Sequence, residues 1–151
     1  MIIVKCVCHN SFLAWIERLK AKVTTIKQKV NMPASPETVY DALVDPKKHS
    51  AFSGAKATGK PEVGGKFTAW DGYISGRHLV LERGKRIVQE WMTTDWPEGY
   101  PPSTIEFILC STSEGTEIQM VQSNVPADQA EELAEGWVEF YWTPLRKYFS
   151  K

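Results

Sequence analysis

Apolar and polar residues change their spacing three times along most of this chain, and each change marks a new kind of element. Ile26, Gln28 and Val30 alternate with Lys27 and Lys29, the period of two expected of a strand with one covered face. Met32-Pro33 stops it. Ser35-Pro36-Glu37 then starts a helix: Ser35 caps free amides, Pro36 suits the first helical position, and Glu37 complements the dipole. Val39, Tyr40 and Leu43 give that helix an apolar stripe, and Asp45-Pro46 closes it and opens a second short helix toward Phe52. From Gly65 the period returns to two. Strands are predicted over 66–73, 76–81, 87–94, 104–111 and 116–124, with turns at Arg83-Gly84-Lys85 and Ser113-Glu114-Gly115. The last change, at about Asp128, brings Leu133, Trp137, Phe140, Tyr141, Leu145 and Tyr148 onto one helical face. A helix from there to Lys151 is roughly 35 Å long, enough to cross a sheet, and Pro144 is expected to bend it near Phe140.

One strand, two short helices, an antiparallel meander and one long helix predict an α+β domain in which a curved sheet grips the last helix. Strand parity says which side chains face that helix: Phe67 and Ala69, Ile87 and Trp91, Ile105, Phe107 and Leu109, Ile118 and Met120. The same parity turns Asp71, Gln89 and Gln122 inward, where polar groups are costly unless hydrogen-bonded. They either satisfy one another in a packed core or line a ligand cavity between sheet and helix. The candidate lining is Phe67, Asp71, Gln89, Trp91, Phe107, Met120, Gln122, Trp137 and Tyr141. Trp96 stands apart because it lies in a Pro/Gly loop. Trp96, Pro97, Glu98 and Tyr100 are the candidate partner contact, with Trp96 either an exposed anchor or a plug for its own loop.

Composition narrows the classes. The 151 residues suit one domain, and 18 basic side chains against 18 acidic ones leave no net field to attract nucleic acid or an anionic membrane. Ile2-Ile3-Val4 and Cys6-Val7-Cys8 are broken by Lys5 and His9, short of a membrane span or signal core. Three cysteines give no disulfide framework, and a reducing, cytoplasmic setting is expected. Cys6, Cys8 and His9 lack a second cluster to complete a structural zinc site. Neither His49, after two lysines in a polar helix, nor His78 has a nucleophile or carboxylate at a recognisable spacing, so no catalytic residue, metal or cofactor is assigned. Phe12, Leu13, Trp15, Ile16 and Leu19 recur at helical spacing near the N-terminus. Residues 1–22 are read as an extension outside the fold, and 23–151 as the domain.

Three elements carry a family resemblance: the run Gly64-Gly65 through Trp70-Asp71-Gly72 to Gly76, then Asp95-Trp96-Pro97-Glu98-Gly99, then Gly136-Trp137 within the helical pattern. In this order and spacing they resemble the C-terminal domain of the activator of the heat-shock protein 90 ATPase, in the START-related, helix-grip superfamily also called SRPBCC. The resemblance runs from about Thr24 to Lys151 and covers one of the activator's two tandem domains. It implies a helix-grip fold, a sheet–helix cavity, a stress-response role and a non-enzymatic co-chaperone module with a heat-shock protein 90-type chaperone as partner. Other functions on this fold leave a small hydrophobic-ligand carrier or sensor as the alternative, and a cyclase- or hydratase-like enzyme as a third.

Overall fold

The computed structural model describes residues 22–151. Strand β1 (Val23–Met32) is followed by helices α1 (Pro36–Val44) and α2 (Pro46–Ser53) and by the two-residue β2 (Thr58–Gly59). Strands β3 (Lys66–Ala69), β4 (Ile74–Glu82), β5 (Arg86–Thr93), β6 (Ser103–Thr112) and β7 (Gly115–Pro126) form the meander. A 3-10 turn (Ala127–Gln129) leads into α3 (Ala130–Trp137), a π turn (Val138–Trp142) and α4 (Thr143–Phe149). All strands pair antiparallel in one seven-stranded sheet of order β1-β7-β6-β5-β4-β3-β2, so the first strand closes against the last.

The helix starts form through their capping side chains. Ser35 Oγ accepts from the Thr38 amide at 3.3 Å, and Asp45 Oδ1 accepts from Lys47 and Lys48 at 2.8 and 3.2 Å. Each satisfies amides that a first turn leaves free, behind a proline that has none to offer. The concave face of the sheet packs Ile105, Phe107, Ile118 and Met120 against Trp137, Tyr141, Trp142 and Leu145, all buried. Two indoles bond across this layer: Trp142 Nε1 donates to Gln28 Oε1 at 2.6 Å and Trp137 Nε1 to Gln122 Oε1 at 2.8 Å. Gln122 Nε2 donates in turn to Ser103 Oγ, and Ser103 to the Trp91 carbonyl. This buried chain leaves no polar group of Gln122 idle, as a close-packed interior requires.

Two local departures from the sequence expectation shape the site. The strand predicted over 66–73 ends at Ala69, because Trp70, Asp71 and Gly72 all take left-handed backbone angles (φ 53°, 58° and 89°). Alternation is lost there. Asp71 therefore points outward, exposed, and its carboxylate accepts the Lys56 amide at 2.9 Å while its own amide donates to the Lys56 carbonyl at 3.0 Å. The second departure lies in the C-terminal helix. Proline has no amide to give to the carbonyl four residues back, and just before Pro144 the helix widens: the Thr143 amide bonds the Val138 carbonyl, five residues back. The extra residue in that turn carries Phe140 off the buried face, to 46% exposure, while Trp142 is buried.

Candidate functional site

Two spaces lie between sheet and helix, separated by Trp91, Trp137 and Tyr141, which line both. The inner one, about 30 Å³, holds at most a water. Its walls include three further predicted lining residues, Phe67, Gln89 and Phe107, together with His49 and His78. Met120 and Gln122, also predicted to line a cavity, border neither space; at 1% and 0% exposure they are closed core. The prediction that Asp71 lines the cavity is likewise corrected, since the left-handed turn directs it to solvent.

The outer space is a cleft of about 570 Å³, within the usual size of a small-ligand site and open to solvent. One wall is the turn that replaced the expected strand, contributing Trp70, Tyr73 and Ile74. The other is a single helical stripe: Gln129, Glu132, Leu133, Gly136 and Phe140 fall three or four residues apart, the spacing that aligns side chains on one face. Trp70 and Phe140 meet edge to face across the gap, centroids 5.3 Å apart. The rim is polar and braced. Tyr73 donates its hydroxyl to Asp95 Oδ2 at 2.9 Å, and Gln129 Nε2 donates to the Asp95 carbonyl at 2.8 Å. Sequence parity missed this cleft because it treated 70–73 as strand. The glycine after Trp70-Asp71 and the 129/132/133/136/140 stripe were the available signals.

Behind the cleft, on the wall of the inner space, lies a buried polar pair. His49, expected on a polar helix, is 7% exposed; its Nε2 and the Tyr141 hydroxyl share a hydrogen bond of 3.2 Å, and its ring packs against Phe52. Desolvation pulls the His49 pKa down to about 4, so the imidazole is neutral at pH 7. The same burial pushes the Tyr141 hydroxyl above its ordinary range, opposed by the Trp70 indole beside it. His49 Nδ1 and Trp70 Nε1 are buried with no hydrogen-bond partner among the described residues. His78 is also buried and its pKa lowered by desolvation; it stacks on Phe67 and lies 3.4 Å from Gln89. The arrangement holds an apolar body against aromatic faces and offers hydrogen bonds at the rim. Among the described residues no group of three His, Cys, Asp or Glu is placed to hold a metal; Cys6, Cys8 and His9 lie outside them.

The loop after β5 is organised around its tryptophan. Trp96, weighed as an exposed anchor, is instead 8% exposed: it packs edge to face on Trp91 and donates Nε1 to the Pro101 carbonyl at 2.9 Å. The plug alternative describes it. Pro97 and Tyr100 are half-buried, and Glu98 is exposed. No helix among the described residues is long and apolar enough to cross a membrane.

Comparison with known proteins agrees with this architecture. An HSP90 activator from Plasmodium falciparum superposes with a TM-score of 0.69 at 25% identity, covering 81% of this chain and 91% of that one. Activators of 90 kDa heat shock protein ATPase from Dictyostelium discoideum and Homo sapiens are 32% and 31% identical over 131 residues, 87% of this chain. The chain spans about a third of their length, 34% and 38% respectively. The sequence profile described as Activator of Hsp90 ATPase homolog 1-like protein matches residues 33–150, from the end of β1 through α4, and on this match the chain belongs to that family.

Proposed function

We infer that this chain is a non-enzymatic, co-chaperone-like binding module of the cytoplasm that engages a heat-shock protein 90-type chaperone. The observation carrying this reading is the family match across nearly the whole described domain, joined to relatives named as activators of that chaperone's ATPase. The site chemistry is compatible with binding. His49 is neutral and hydrogen-bonded to a phenol, not to a nucleophile or carboxylate, so the His49–Tyr141 pair behind the cleft lacks the third group of an activated triad.

With Trp96 fixing the loop from inside, the contact surface we assign is what that loop presents: Glu98 and the outer parts of Pro97 and Tyr100. Prolines at 97, 101 and 102 stiffen the loop and reduce the ordering cost of binding. Titration of the intact protein with the chaperone tests this. We expect Tyr100→Ala and Glu98→Lys together to weaken association by more than about 1 kcal/mol with the melting temperature preserved. Absence of binding by the unaltered protein at high micromolar chaperone overturns the reading. A second reading, a carrier or sensor of a small hydrophobic ligand, is favoured by the open aromatic cleft of about 570 Å³. Native mass spectrometry of protein purified from its own host distinguishes the two through a co-purifying small mass or a co-purifying chaperone.

A further inference from the structure

We propose, on the second reading above that the cleft holds a small ligand, that this ligand is an organic cation: an apolar body carrying one ammonium group. The walls select the body. Trp70, Tyr73, Trp91, Trp137, Phe140 and Tyr141 all line the cleft. Their rings are inclined to one another, by 33° for Trp91 and Trp137, 46° for Trp137 and Tyr141, and 73° for Trp70 and Phe140. Rings set at angles enclose a guest from several sides instead of sandwiching one flat plate, and the faces of Trp and Tyr carry the negative quadrupole that attracts an ammonium. The volume of about 570 Å³ is several times that of a lysine side chain, so it suits a whole small molecule.

Charge selects the head group. Every charged side chain that lines the cleft is acidic, Asp95 and Glu132, and among the described residues neither joins a salt bridge. Asp95 is already oriented, because the Tyr73 hydroxyl donates to its Oδ2 at 2.9 Å and leaves the rest of the carboxylate free to accept. Desolvation raises the Tyr73 hydroxyl pKa, and Asp95 and Glu132 raise it further, so both carboxylates bear on one corner of the cleft. The chain around that corner has the same sign. Asp128, Glu131, Glu135 and Glu139 are all exposed, and no basic residue lies between Asp128 and Arg146. Net neutrality of the whole chain thus conceals a cleft mouth of negative potential. An anion with the same apolar body meets like charge there, and a neutral molecule gains the walls alone.

Three probes that share one body and differ in charge test this by calorimetry on the full chain at pH 7: naphthylethylamine, naphthylethanol and the naphthylacetate anion. At low salt the amine is expected to bind at least about tenfold more tightly than the alcohol, with the anion weakest, and its advantage should shrink at about 1 M salt. Glu132→Gln combined with Asp95→Asn keeps the shape of the rim and an acceptor for Tyr73, and should bring the amine-to-alcohol affinity ratio close to one. Gly136→Leu fills the cleft at a position where an added Cβ meets only Phe140 Cδ2, at 3.8 Å, and should abolish amine binding with cooperative unfolding retained. Equal affinity for amine and alcohol, or a preference for the anion, overturns the cation assignment and leaves the cleft a ligand site. No binding of any probe at millimolar concentration overturns both. An amine preference that survives the double replacement, or amine binding that survives Gly136→Leu, also overturns the assignment, because the charge or the site would then lie elsewhere.

Discussion

His49 is the residue whose environment makes the clearest demand on solution conditions. In the folded protein its pKa lies at about 4, against about 6.5 when unfolded, so between these values the unfolded chain binds the extra proton and the native one does not. Folding stability from this group is complete above about pH 6.5 and is lost as pH falls toward 4. The loss is on the order of 3 kcal/mol if the imidazole stays buried. His78, also shifted down by desolvation, adds to the slope in the same direction. Asp41, held below the usual carboxylate range by Arg83, gives its stability up at lower pH still. Urea unfolding at pH 7, 5.5 and 4.5 should therefore show a steady decline, and His49→Phe should flatten it. An unchanged slope in His49→Phe would show that the imidazole is protonated in the native state, contrary to its burial beside Tyr141.

At the scale of elements, the helical wall of the cleft contains a residue that helix stability alone does not select. Gly136 lies inside α3, where glycine costs about 1 kcal/mol relative to alanine, and it has room for a Cβ. Gly136→Ala should stabilise the protein by about 0.5–1 kcal/mol in urea titration. A loss instead would mean that the turn before the π segment needs the glycine backbone. Gly76 is the opposite case. A Cβ there would collide with the Glu90 carbonyl and the Phe67 ring, so β4 passes close to β5 beneath that ring only because the position is bare. The local chemistry of Ser35, Asp45 and the strand alternations was legible in the sequence because each depends on neighbours within a few residues. Asp71, Phe140 and Trp96 were not, for related reasons. Three successive left-handed residues, Asp71 among them, break the parity, a widened turn rotates Phe140 outward, and Trp96 finds its burial against Trp91 and Pro101. His49 shows the same limit: its partner, Tyr141, lies 92 residues away.

At the scale of the whole molecule, the sheet closes on itself through β1, which pairs with β7 from Val23 to Met32, and the described core draws on no residue before Ile26. Among the described residues, the strand pairing and the buried layer are thus assembled from Val23 onward. A chain starting at Val23 should fold cooperatively. Its melting temperature should lie within a few degrees of the full chain's, where about 1 kcal/mol corresponds to about 2–4 °C near this size. Calorimetry of the two chains side by side measures this. Loss of cooperative unfolding in the shorter chain would place residues 1–22 inside the folding unit. A drop of no more than a few degrees would instead fit a domain that folds from Val23.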